Sequence, residues 1–91
     1  MCTYLTEHLA VTGSGKGAAG WFPLTDASVY YDHPAHAPAD HTLNLDFLCP
    51  ERGAGARVAV ELDPEAARAL ARAILTVLDS APARALSGHP A

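Results

Sequence analysis

Lysine is nearly missing from this chain. There is one, with five arginines spread among ten acidic residues, and the net charge is −4 over 91 residues. With no basic stripe to neutralise phosphates, nucleic acid is not an expected partner. Cysteine is equally sparse: Cys2 and Cys49 are too few for a disulfide scaffold and read as free thiols of a reducing compartment. Cys49 ends an alternating apolar series and is assigned to the core, whereas Cys2, once Met1 is removed, would set an α-amine beside a thiol. No apolar run approaches the roughly 20 residues that span a bilayer, and the first 20 residues lack the basic and apolar regions of a secretion signal. The expectation is a cytoplasmic protein with no membrane partner. Large apolar side chains are also few, since alanine supplies much of the 49% hydrophobic content. A chain this short then has a small core, and a homodimer is expected to supplement it.

What the chain does contain is period-two patterning followed by one helical stretch. Thr3 to Val11 alternates as a first strand, with Leu5, Glu7, Leu9 and Val11 on one side and His8 on the other. Gly13-Ser14-Gly15-Lys16-Gly17 fails as a phosphate loop, because Ala10 and Gly17 stand where that motif needs glycine and Ser/Thr; it reads as a flexible hairpin connection. Gly20 to Leu24 is a second short strand whose Trp21 and Phe22 are assigned to the core, with Trp21 and Tyr31 as weaker candidates for a ligand wall. Thr25-Asp26 reads as a turn, Ala27 to His33 as a third strand, His41 to Cys49 as a fourth and Arg57 to Leu62 as a fifth. Asp63-Pro64-Glu65 then starts a helix, with Asp63 as cap, Pro64 at its first position and Glu65 complementing the dipole. Ala67, Leu70, Ala71, Ile74 and Leu78 follow helical spacing as the face that packs on the sheet. The architecture is α+β: one domain over residues 1–80, an antiparallel sheet of about five strands and a C-terminal amphipathic helix on one face, then a frayed tail over 81–91 that discounts His89 as a ligand.

The chemistry concentrates in Asp32-His33-Pro34-Ala35-His36-Ala37-Pro38-Ala39-Asp40-His41. Three of the five histidines fall here, stiffened by two prolines. In an antiparallel hairpin His33 and His41 end opposite one another at its mouth, both by parity toward the apolar side, with His36 in the intervening loop. Imidazoles joined by a carboxylate compose open mononuclear metal sites. The leading expectation is therefore a small metal-binding protein with His33, His36 and His41 as ligands. Glu7, or His8 if a bulge exchanges the two, completes the site, and Glu7 doubles as general base for a metal-activated water. Zinc is favoured over iron or manganese. Two other readings stand beside it: a metal-free His/Glu acid-base enzyme, and a non-catalytic dimeric module that takes a small-molecule ligand on the polar sheet face. That face gathers Tyr4, Thr6, His8, Tyr30, Asp32, Thr42, Asn44 and Asp46.

Several clusters (Met1-Cys2-Thr3-Tyr4, Gly13 to Gly17, Gly20-Trp21-Phe22, Asp32-His33-Pro34, His36-Ala37, His41-Thr42-Leu43-Asn44, Asp46-Phe47) resemble a family of small uncharacterised bacterial proteins, a domain of unknown function. The resemblance covers about the first 80 residues. It implies a self-contained domain and no particular activity.

Overall fold

The computed structural model describes residues 5–80 and 82. Met1 to Tyr4, and with them the reading of Cys2 and Tyr4, lie outside the described residues, as does His89. The element order is β1 (Thr6–Gly17), β2 (Gly20–Asp32), β3 (Thr42–Leu48), β4 (Arg57–Leu62) and α1 (Pro64–Leu78). The four strands form an antiparallel sheet in sequential order, with β1 and β4 at its ends.

The α+β class and the C-terminal helix are as expected, but the sheet has four strands where about five were read. The glycine segment 13–17 is not a loop: it continues β1 and pairs with β2, for example Gly15 with Phe22. Thr25-Asp26 does not turn either. Thr25 Oγ1 donates to Asp26 Oδ1 at 2.6 Å and to the Leu48 carbonyl at 3.4 Å, which satisfies the pair within an extended strand. The turn lies instead at Ala18-Ala19, and Gly20, with φ of 110°, closes it. An L-residue is strained there, most of all a β-branched one. Gly20→Val is expected to destabilise the domain by about 1–3 kcal/mol in a urea melt, whereas Gly13→Ala, which meets nothing within 4 Å, moves the midpoint far less.

A register shift between Ala10 and Gly13 adds a residue to β1 and bends the hairpin. Its far end curls toward β4, because a side chain at Gly15 would touch Leu24 and Val58, and one at Gly17 would touch Phe22. Trp21, read as core, is thereby corrected: Phe22 and Leu24 take the inner side, and the alternate position leaves Trp21 exposed opposite Lys16.

Parity divides the sheet cleanly. Val29, Leu45 and Val60 lie level across β2, β3 and β4 on one face, and Tyr30, Asn44 and Glu61 on the other. Cys49 is buried as expected, and with Ala27 it is the only hydrophobic residue that reaches full burial among the described residues. α1 starts at Pro64 as read, but the Asp63 side chain makes no capping bond; its carbonyl accepts from the Ala67 amide at 2.9 Å. The helix stands over the apolar face with none of its residues fully buried. No helix among the described residues is long and apolar enough to cross a membrane.

Candidate functional site

The polar face and the histidine loop together form a cleft of about 640 Å³. Its floor is the outward parity of three strands: Tyr30 from β2, Asn44 and Asp46 from β3, and Arg57, Ala59 and Glu61 from β4. His33, Ala35, His36 and Ala37 form its rim.

Asp46 organises the floor. Arg57 donates to its Oδ1 from Nη2 at 2.6 Å and from Nε at 2.9 Å, while the Tyr30 hydroxyl donates to Oδ2 at 3.0 Å. Burial, the hydrogen bond to Asp46 and the Asp46 charge hold the Tyr30 phenol above its ordinary pKa, partly offset by the Arg57 charge. Further along the same face of β3, buried Thr42 donates to buried Asn44 Oδ1 at 2.8 Å.

Glu61 holds the loop. Its carboxylate accepts the backbone N–H groups of Ala35, of Ala37 at 2.9 Å and of His36 at 3.1 Å. The bonds from Ala35 and then Ala37 are the main reason its pKa lies below the usual glutamate value. Three amides that the prolines keep out of regular structure therefore converge on one charge. This residue went unread in the sequence, although the same alternation that turns Val58, Val60 and Leu62 inward puts Arg57 and Glu61 on the face of Tyr30 and Asp46.

The residues expected to form a metal centre are only partly brought together. His33 and His41, just beyond the Asp32–Thr42 pair, stack with ring centroids 4.4 Å apart, and His41 stacks in turn on Tyr31 at 5.4 Å. His33 lines the polar cleft, and Tyr31 lines an apolar groove between α1 and the other face of the sheet, so the histidine stack straddles the end of the sheet instead of facing one side. The His33 Nδ1–H donates to the Asp40 carbonyl at 2.7 Å, leaving Nε2 as the acceptor nitrogen of the neutral ring. His36 sits over the cleft with its amide on Glu61. Glu7 and His8 lie elsewhere. Glu7 is level with Val29, roughly 13 Å along the sheet from His33, and is exposed on the end strand, where a charge is easily solvated. His8 pairs with Ser28 Oγ at 2.8 Å on the other face. No bulge between Glu7 and His8 exchanges them, since the ladder is regular from Thr6 to Ala10. Among the described residues no group of three His, Cys, Asp or Glu side chains is arranged to hold a metal ion.

Fold and site define a small α+β domain with an open polar cleft on its sheet, a class that many chemistries share. Residues 1–87 match the model of the family of unknown function DUF6295, and the chain belongs to that family. No curated protein and no solved structure matches it.

Proposed function

We propose that this protein is a binding module that takes a small organic molecule bearing a carboxylate or similar anionic group in the polar cleft. The observation that carries the reading is the Tyr30–Asp46–Arg57 trio: two hydrogen bonds to Asp46 fix the Arg57 guanidinium in the cleft lining, and the N–H groups that Asp46 does not use are the donors an anion would take. The floor carries two carboxylates, Asp46 and Glu61, and one guanidinium, Arg57, and both carboxylates are engaged. Asp46 is committed to Arg57, and Glu61 to the loop amides, so neither carboxylate stands as an uncommitted base. Tyr30 is held protonated, and its one hydroxyl proton goes to Asp46. Binding is the reading that two committed carboxylates and a fixed guanidinium support.

A zinc site remains the second reading, favoured by one observation. A ring N–H anchored on a backbone carbonyl, as His33 is on Asp40, is how ligating histidines are commonly oriented. Backbone amide and histidine side-chain NMR separates the two. Titration with succinate and benzoate is expected to shift the amides of Asn44, Ala59 and Glu61 and those of the loop, and Arg57→Gln is expected to weaken binding at least tenfold. No response at millimolar carboxylate, or equal binding by the Arg57 variant, would overturn the proposal. Stoichiometric Zn²⁺ shifting the His33, His36 and His41 rings without any carboxylate response would put the metal reading in its place.

A further inference from the structure

The two ends of the polar cleft differ in charge. Arg57 begins β4, and its two bonds to Asp46 hold the guanidinium beside a residue level with Ala59. Glu61 lies two residues further along the same face, roughly 7 Å beyond that level, and lines the cleft next to the loop. A carboxylate offers about four acceptor positions, and backbone N–H groups occupy three of them: His36 and Ala37 on Oε1, Ala35 on Oε2. Oε2 keeps one position. The same end holds the His33 ring, whose Nε2 is an acceptor because Nδ1–H goes to the Asp40 carbonyl. Among the described residues no lysine and no second arginine lines the cleft. Two carboxylates stand against one guanidinium, so the lining is net negative with its histidines neutral.

We propose that the ligand of this cleft is a zwitterion, a small amino acid whose ammonium lies several carbons from its carboxylate. The inference rests on the binding reading above and names the class of molecule. The carboxylate takes the Arg57 N–H groups that Asp46 does not use, and the ammonium donates to Glu61 Oε2 and His33 Nε2. The loop already holds both of those acceptors in place, which limits the ordering cost of binding. A ligand that brings its own cation balances the lining, whereas a purely anionic one meets the Glu61 charge. The spacing favours separated charges. Glu61 leans away from Arg57 to reach the amides of residues 35–37 beyond the end of β2, a span that suits a chain longer than that of an α-amino acid.

A series of four-carbon probes tests this on the full chain near neutral pH, with affinities read from amide NMR titrations. 4-Aminobutanoate is expected to bind about fivefold or more tighter than butanoate, the gain of one exposed ion pair. Succinate, of the same length, is expected to bind no tighter than butanoate, because its second carboxylate meets Glu61. Butylamine, which has nothing for Arg57, is expected to bind more weakly than 4-aminobutanoate. The Glu61 side-chain carboxyl carbon supplies an arm that needs no substitution: it is expected to shift with 4-aminobutanoate and to stay in place with butanoate. Succinate as the tightest probe would overturn the zwitterion and leave the carboxylate reading standing. So would 4-aminobutanoate that gains less than about fivefold over butanoate, or an unmoved Glu61 carbon. Butylamine that matches 4-aminobutanoate, or silence from all four probes, would overturn both.

Discussion

Replacement of Glu61 by glutamine is expected to release the histidine loop while leaving the sheet folded. The carboxylate accepts three backbone N–H groups from Ala35, His36 and Ala37, and the loop has few other anchors: the Ala39 amide on the Ala37 carbonyl and His33 on Asp32 and Asp40. A glutamine presents one carbonyl oxygen and turns an NH₂ toward donors, so at least one amide loses its partner to water. Hydrogen exchange at Ala35, His36 and Ala37 should accelerate by about tenfold or more, with the β3 amides unchanged. Acid should produce the same release. The pKa of Glu61 is depressed in the folded protein, so its contribution is present above the unperturbed value near 4.3 and is lost as the pH falls through the lower folded value. Loop amides that stay protected in the glutamine variant would show that the prolines alone hold the loop. Since Ala35, His36 and Ala37 line the cleft, carboxylate binding should weaken along with loop order.

Asp46→Asn should lower the midpoint of thermal unfolding by roughly 5–15 °C, corresponding to about 1–2 kcal/mol. The substitution removes the charge that two Arg57 N–H donors and the Tyr30 hydroxyl share. The estimate stays at the low end for a charged network because the Arg57 side chain is half exposed and solvent screens the pair. The Tyr30 titration supplies a sharper readout. Its pKa is raised by burial and then by the hydrogen bond and charge of Asp46, so the variant should titrate at lower pH by ultraviolet absorbance, with Tyr30→Phe identifying the component. The sign follows by linkage: a phenol raised in the folded state adds stability below the unfolded value near 10, and that stability is lost as the pH climbs through the folded value. A phenol curve unmoved by Asp46→Asn would mean that burial alone sets it.

Local chemistry made much of the fold legible. The alternation from Thr42 to Leu48 and from Arg57 to Leu62 shows directly in the register of β3 with β4, and Pro64 begins the helix that the spacing of Ala67, Leu70, Ala71, Ile74 and Leu78 requires. The polar face of Tyr30, Asn44 and Asp46 follows from the same parity. Glycine misled, because the segment 13–17 is as permissive of an extended strand as of a turn, and only pairing with β2 selects between them. Trp21 misled for a related reason. Size argues for burial, but which alternate residue faces inward depends on how the hairpin curls.

What the sequence by itself determined is everything set by neighbours along the chain: the strand and helix periods, the two faces of the sheet and the stiff histidine loop between β2 and β3. What only the tertiary structure decided is which distant groups meet. Glu61 captures the loop through atoms of the backbone, which no side-chain pattern announces, and the register of β1 on β2 sets Glu7 apart from the histidines it was expected to join. Periodicity reports the direction of a side chain within its own strand, whereas a site depends on the register between strands and on the fold of the loop, both of which are settled by packing of the whole sheet.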